Sequence, residues 1–319
     1  MEYLMQASVD TPPTSPIDPG EKLRTSMAAM RMSYTWFGTR KTLSSEQKAQ
    51  AADTFHAEGK YLSANKKLID TSDVTFRAVT AVKTQANAFF KGSSLPFPEP
   101  GIRLIPQGSL DQINDRMNAF CSDLADAVEI LDARFDALKF EARDRLGDLF
   151  CESDYPTSLI GLFEIAWDFP SAEPPDYLRR LNPKLYQQEC ERVKSRFDEA
   201  VQMAEVAFTE ELNKMVEHLA ERLTGADDGT PKVFRDSAVG NLTEFFERFK
   251  RLNIGSSEEL DQIVDRARRV IDGIAPQSLR DSDSLRTRIN SQLAAVQSSL
   301  DGLMVDRPRR NILRGPRSL

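Results

Sequence analysis

The stretch SLDQINDRMNAFCSDLADAVEILDARFDALKFEARDRLGDLFC, residues 109–151, decides the fold class of this chain. Its apolar residues recur at steps of three and four, which places them on one side of an α-helix and close to the heptad spacing of a coiled coil. About 40 residues at ~1.5 Å per residue make a helix roughly 60 Å long. The stripe consists of Leu110, Ile113, Met117, Phe120, Leu124, Val128, Leu131, Phe135, Leu138, Ala142, Leu146 and Leu149.

A second stretch of similar length and pattern runs from Pro183 to Leu223. Proline is favoured in the first turn of a helix, where its missing N–H costs nothing. The apolar stripe of this second helix consists of Tyr186, Cys190, Val193, Phe197, Val201, Ala204, Phe208, Met215, Leu219 and Leu223.

The connection between the two long helices has about 30 residues and several prolines. Long helices joined by a short connection usually fold back on each other. The sequence therefore predicts an antiparallel coiled-coil hairpin over residues 109–224, with an apolar tip near residues 155–182.

Shorter helices are expected on both sides of this hairpin. Ser44 followed by Gln47 is a capping-box signature, which predicts the start of a helix that runs to about Leu62. Further helices are predicted over residues 72–90, 234–252, 257–274 and 278–304. The predicted architecture is all-α, with a leader at residues 1–19, N-terminal helices at 20–108, C-terminal helices at 232–305 and a basic tail at 306–319.

One short β-ribbon is also predicted. The segment RMSYTWF alternates, with Met30, Met32, Tyr34 and Trp36 on one face, which is typical of a strand. Its expected partner is GIRLIP, residues 101–106, the other segment that looks extended.

Composition restricts the class of protein. Apolar residues are 40% and charged residues 29%, with a net charge of −7, so nucleic acid is disfavoured as the main partner. Three widely spaced cysteines and the lack of a basic, then apolar, N-terminal signal favour the cytoplasm. No apolar run approaches the length of a membrane-spanning helix.

The sequence contains none of the common motifs for catalysis or for cofactor binding. The two histidines are far apart, and no P-loop, nucleotide-binding glycine pattern, zinc motif or nucleophile elbow occurs. An acidic row on the first long helix (Asp123, Asp126, Glu129, Asp132 and Asp136) lacks the Glu-x-x-His partner of a di-iron site, so we interpret it as a solvated face. We expect no enzyme activity, no cofactor and no metal.

Two segments are candidates for contact with another molecule. The first is the hairpin tip, whose residues Leu159, Leu162, Phe163, Trp167 and Phe169 form the most apolar run of the chain. It is interpreted either as a short helix packed on the bundle or as a docking knob for a partner, because tryptophan and phenylalanine dominate interfaces. Interfacial insertion into a membrane is a third possibility, although spanning is disfavoured by Glu164 and Asp168.

The second candidate is the basic tail, residues 307–319, which carries five arginines and no acid. It is either a solubilising end or an electrostatic docking segment for an acidic partner, for nucleic acid or for the acidic body of the protein itself. The five residues are Arg307, Arg309, Arg310, Arg314 and Arg317.

The stretch AAMRMSYTWFGTRKTL resembles the start of a bacterial and phage family named domain of unknown function 3150. SANKKLID, a helix ending in AFF, GIRLIP and a long helix from Ser109 follow in a similar order, so the resemblance covers about Glu21 to Leu223. It implies an occurrence in phages and mobile elements, sometimes beside MoxR-type AAA+ ATPases and von Willebrand A-domain proteins. It implies no reaction and no functional residues.

The function expected from these observations is that of a non-enzymatic cytoplasmic scaffold or adaptor that acts through protein contacts. The resemblance implies an AAA+ ATPase or a von Willebrand A-domain protein as its partner, and a homo-oligomer is also possible. One alternative is a helical membrane-acting or pore-forming protein that uses the hairpin tip. Another is a DNA-associated protein that uses the basic tail.

Overall fold

The computed structural model describes residues 18–224, 237–253 and 255–305, and these form two compact units. The sheet unit consists of Ala28–Leu95 and Glu99–Ala172. The helical unit consists of Pro96–Pro98 and of the described residues that precede Ala28 or follow Ala172. Ten α-helices lie within the described ranges, which confirms that the chain is mostly helical.

The sheet unit is built around the first long helix. Its helices are α2 (Ser45–Asp53), α3 (Val74–Gly92) and α4 (Leu110–Leu146). Its strands are β1 (Met27–Thr35), β2 (Arg40–Thr42), β3 (Asn65–Lys67), β4 (Leu95–Pro96), β5 (Ile102–Pro106) and β6 (Glu164–Asp168). Single 3₁₀ turns connect several of them, among them Gly59–Tyr61.

The apolar stripe predicted for residues 110–146 is the core of this unit. Nine of its members, from Ile113 to Ala142, are buried, and they join a cluster with the inward side chains of α3. The helix ends earlier than predicted because Gly147 adopts a φ of +50°, a region that glycine enters without steric cost. The α3 side chains in the cluster are Phe76, Val79, Ala86 and Phe90.

Strands contribute more than the single ribbon predicted. One sheet has four strands in the order β4-β5-β1-β6, so β5 does lie beside β1 as expected. The strand β6 was missed, and it pairs antiparallel with β1 from Arg31↔Asp168 to Thr35↔Glu164. A second sheet joins β2 and β3.

The helical unit is organised around the second long helix, α6 (Pro183–Thr224), which confirms the predicted bounds closely. The remaining helices are α1 (Pro19–Ser26), α5 (Asp176–Leu181), α7 (Ser237–Leu252), α8 (Glu258–Ile271), α9 (Pro276–Asp281) and α10 (Asp283–Val305). Helices α1, α7, α8 and α10 pack on α6 and cover its buried stripe, which includes Val193, Phe197, Phe208 and Leu219.

The predicted coiled-coil hairpin is not confirmed. The stripe of α4 is buried against α3 and the sheet, whereas the stripe of α6 is buried against α1, α7, α8 and α10. Each long helix therefore completes a core within its own unit. The segment predicted as the hairpin tip contains a strand, β6, and a short helix, α5.

Candidate functional site

The predicted tip residues fall into three environments. Leu159 and Phe163 are buried in the core of the sheet unit, and Leu162 and Trp167 are half-buried against it. Only Phe169 is exposed. Partner binding by this set stays a prediction. Fewer of its side chains than the sequence suggested are accessible to a partner while the sheet unit stays folded.

Hydrogen bonds that this segment donates to side chains of α4 hold it in place. Asp132 accepts one from the backbone N–H of Leu159 at 2.6 Å and one from Ser158 Oγ at 3.0 Å. Trp167 Nε1 donates to Asn114 Oδ1 at 3.2 Å. Asp132 is therefore a structural acceptor, which corrects its interpretation as part of a solvated acidic face.

The aromatic side chains of the RMSYTWF segment are also structural. Trp36 meets Phe163 edge to face, with 5.0 Å between ring centroids. Lys83 Nζ lies 4.6 Å from the ring centroid of Tyr34 and 4.4 Å from that of Trp36, in cation–π geometry. Burial raises the pKa of the Tyr34 hydroxyl to about 12. These contacts fix β1 on the core, as its alternation predicts.

The basic tail, with Arg307, Arg309, Arg310, Arg314 and Arg317, lies outside the described residues. Its proposed docking role stays a prediction.

A second apolar stripe, on the outer side of α4, was not recognised in the sequence. Its four members are exposed and lie at steps of three, four and three, which places them on the side opposite to the buried stripe. Ile130 is 63% and Phe140 65% exposed. The outer stripe consists of Ile130, Ala133, Ala137 and Phe140. The signal was present, but alanines between charged residues made it inconspicuous.

Acidic residues border the outer stripe. At 3.6 residues per turn, Asp126 and Asp144 continue it at its two ends, and Glu129 and Asp136 lie along one side. On the other side, Arg134 is paired with Glu141 at 3.0 Å and with Asp73 at 3.3 Å. The stripe is thus an apolar strip with a mostly negative border.

The strands β2 and β3 form the other unusual surface, named here the cationic strand pair (residues 40–42 and 65–67). Their register places Arg40 opposite Lys67 and Lys41 opposite Lys66. Lys41 and Lys66 both contact Asp154, each with 2.5 Å between Nζ and a carboxylate oxygen. Arg40 and Lys67 are exposed and form no ion pair within the described residues.

The carboxylate of Asp154 is ionised in this arrangement. Burial opposes its charge, but the hydrogen bond from Lys41 and the ion pair with Lys66 outweigh that effect and lower the pKa of Asp154 below its ordinary value. Lys66 is buried as well and donates to the carbonyl oxygen of Leu149 at 2.6 Å. One acid therefore neutralises one of the two lysines on this side of the strand pair.

Neither a metal-ion site nor a membrane-spanning helix is present in the part of the chain that the structure describes. No group of three or more His, Cys, Asp and Glu side chains is arranged to hold a metal ion there. None of the described helices is both long and apolar enough to cross a membrane.

The chain was compared with known proteins in three ways. No protein-family model, no curated protein and no solved structure matches it. The resemblance to domain of unknown function 3150 is neither supported nor opposed by these comparisons.

Proposed function

We propose that the protein is a non-enzymatic cytoplasmic scaffold or adaptor that binds another protein through the outer stripe of α4. The observation that carries this proposal is the exposure of Ile130 and Phe140, 63% and 65%, on a helix whose opposite side is already buried. The core of the sheet unit cannot use these side chains, because they lie on the far side of α4 from it. An exposed apolar strip with a polar border is typical of protein contact sites.

The chemistry of the outer stripe indicates the kind of partner. Four apolar positions within eleven residues span about 15 Å, which suits one face of an amphipathic helix. The border is formed mainly by Asp126, Glu129, Asp136 and Asp144. A partner helix with lysines or arginines beside its apolar face would complement this border, whereas a second copy of α4 would bring acids against acids.

The predicted membrane-acting alternative receives less support. Leu159 and Phe163 are buried, so the large apolar side chains that this segment exposes to a membrane are reduced to Ile160 and Phe169. The partner class for an adaptor comes from the family resemblance, which implies a MoxR-type AAA+ ATPase or a von Willebrand A-domain protein.

The test compares a face variant with a matched control. Tagged Ile130→Glu/Phe140→Glu and Leu181→Glu/Val206→Glu proteins each place two acids at exposed apolar positions, the second pair in the helical unit. Both are purified from the native host beside the wild type, and bound proteins are quantified by mass spectrometry. We expect a partner whose recovery falls about ten-fold or more with the face variant alone.

Two outcomes would count against the proposal. If the wild type and Ile130→Glu/Phe140→Glu recover the same proteins in the same amounts, the outer stripe does not bind the partner. Recovery of no partner by a monomeric wild-type protein would remove the adaptor function itself. Circular dichroism of each variant establishes that the fold is retained.

A further inference from the structure

We propose that the outward face of the cationic strand pair binds the phosphodiester backbone of single-stranded nucleic acid. Successive side chains of a strand point to opposite faces, so Arg40 and Thr42 share one face with their cross-strand partners Lys67 and Asn65. All four are exposed. The other face carries Lys41 and Lys66, which contact Asp154.

The arrangement is unfavourable without a bound anion. Like charges directly opposite each other on neighbouring strands destabilise a sheet. This strand pair has two such pairs in succession, Arg40↔Lys67 and Lys41↔Lys66, and Asp154 is the one acid bound to either of them within the described residues. An anion on the outward face would relieve the repulsion between Arg40 and Lys67.

The outward face offers hydrogen-bond donors suited to phosphate oxygens. The guanidinium of Arg40 provides a planar fork that binds phosphate in a bidentate manner, and the ammonium of Lys67 adds a second charge. Thr42 Oγ1 donates to Asn65 Oδ1 at 2.9 Å, which leaves the amide NH₂ of Asn65 free to donate. No carboxylate lies at any of these four positions.

Exposed aromatic rings in the segment between the two strands favour nucleic acid over other anions as the ligand of this face. Tyr61 is 81% and Phe55 78% exposed. Ala64 lies at the end of the strand pair, where its carbonyl oxygen accepts a hydrogen bond from Leu43 N–H. Tyr61 precedes Ala64 by three residues, so its backbone lies within about 10 Å of that end. Single-stranded nucleic acid uses both features, since bases stack on aromatic rings while cations follow the backbone. An acidic peptide would use the charges alone.

The local charge differs in sign from that of the whole chain. Residues 40–67 contain six lysines and arginines against three acids, whereas the chain as a whole carries −7. The expectation that nucleic acid is disfavoured as a partner followed from the total charge. This segment is the exception, and it is separate from the basic tail.

The experiment measures fluorescence anisotropy of a labelled oligothymidylate of about 20 nucleotides, titrated with the full chain. The test variants are Arg40→Glu/Lys67→Glu and Tyr61→Ala. The matched control is Lys184→Glu/Lys194→Glu, which reverses two exposed lysines of α6 that have no ion pair among the described residues. Because the tail is present in every protein, its contribution is the same throughout.

We expect binding at about 50 mM salt that weakens steeply as salt increases. The charge-reversal variant should lose about ten-fold or more in affinity and show a shallower salt dependence, because two phosphate contacts are removed. Tyr61→Ala should lose about five-fold or more at unchanged salt slope, because stacking carries no charge. The control should change by less than about two-fold, because both of its lysines belong to α6 and neither belongs to the cationic strand pair.

Three results would overturn the proposal. The first is no binding of the oligonucleotide by the wild type at low salt. The second is a loss of affinity in the control variant equal to that in the charge-reversal variant. The third is displacement of the labelled oligonucleotide by polyglutamate as effective as displacement by unlabelled oligonucleotide of the same charge. The last would show a site for acidic peptides. If Arg40→Glu/Lys67→Glu does not fold, Arg40→Gln/Lys67→Gln removes the same charges without adding acids, and unchanged binding by that variant is equally decisive.

Discussion

The Nζ atom of Lys66 lies 2.5 Å from Oδ2 of Asp154, and both side chains are only 6% exposed. Lys66 projects from β3, and Asp154 belongs to the segment that follows α4. The same carboxylate also binds Lys41 of β2, so one acid holds both strands of the cationic pair. A buried ammonium persists in a fold only where a counter-charge and further hydrogen bonds compensate its lost hydration.

Removal of this acid should destabilise the sheet unit. We expect Asp154→Ala to lower the free energy of unfolding by about 3 kcal/mol, because Lys66 would stay buried without a counter-charge. Urea unfolding followed by circular dichroism measures the change. Asp148→Ala, at a nearby exposed position, is the control and should cost less than about 0.5 kcal/mol. Equal costs for the two variants would contradict the structural role of Asp154.

A compensating pair of substitutions tests whether charge or packing is responsible. Lys66→Met/Asp154→Leu removes both charges and retains apolar volume. We expect this double variant to recover most of the stability lost in Asp154→Ala, because the cost of an unpaired buried charge disappears. A double variant as unstable as Asp154→Ala would show that packing, not charge, determines the effect.

The lowered pKa of Asp154 makes stability depend on pH in acid. An aspartate in the unfolded chain has a pKa of about 3.9, and the folded value lies lower because Lys41 and Lys66 outweigh the effect of burial. Below pH ~4 the unfolded state therefore binds more protons than the folded state, so stability is present above that pH and is lost as pH falls through the folded pKa.

The measurement is the melting temperature of wild type and Asp154→Asn between about pH 6 and pH 3. The wild type should lose more stability over this range than the variant. Some dependence should persist in both, because hydrogen bonds from Ser72 and Thr75 lower the pKa values of Asp70 and Asp73. Parallel curves for the two proteins would rule out Asp154 as a source of the acid sensitivity.

Elements with a strong local signal were predictable. The bounds of α6 and most of α4 follow from apolar spacing alone, and the capping box is present as predicted, with Gln47 N–H donating to Ser44 Oγ at 3.1 Å. The position of β5 beside β1 also followed, because few other segments of the chain looked extended.

Elements defined by distant partners were not predictable. In EIAWD, the strand β6, the apolar residues fit a strand or a helix equally well, and the pairing Met32↔Trp167 joins residues 135 positions apart. The strands β2 and β3 have three residues each and consist mostly of charged residues, so no alternation marks them. Likewise, two similar apolar stripes show that α4 and α6 need partners, but they do not say which.

The cysteines should differ in reactivity. Cys151 is exposed, and hydrogen bonds from Ser153 together with the charge of Lys66 lower its pKa despite the opposing charge of Asp154. Cys121 is partly buried, and burial raises its pKa. Since the thiolate is the reactive form, we expect iodoacetamide at about pH 8 to alkylate Cys151 before Cys121.

Peptide mass spectrometry at successive times measures both rates in one sample. The same reaction in urea is the control, because unfolding should bring the two rates together. Ser153→Ala should slow the alkylation of Cys151 without changing that of Cys121. Faster labelling of Cys121 than of Cys151 in the folded protein would show the assigned environments to be wrong.

Asp132 should determine how firmly the segment before β6 is held. Its carboxylate accepts from the backbone N–H of Leu159 and from Ser158 Oγ, and Leu159 itself is buried. We expect Asp132→Ala to lower the free energy of unfolding by about 1–2 kcal/mol, because the N–H of Leu159 loses its acceptor in a dry environment. Amide hydrogen exchange at Leu159 should also become faster, and this local readout separates the hydrogen bond from a general loss of stability.

Asp126→Ala, an exposed acid of the same helix, should change neither quantity measurably. Unchanged exchange at Leu159 in Asp132→Ala would mean that burial of the leucine alone holds this segment against α4.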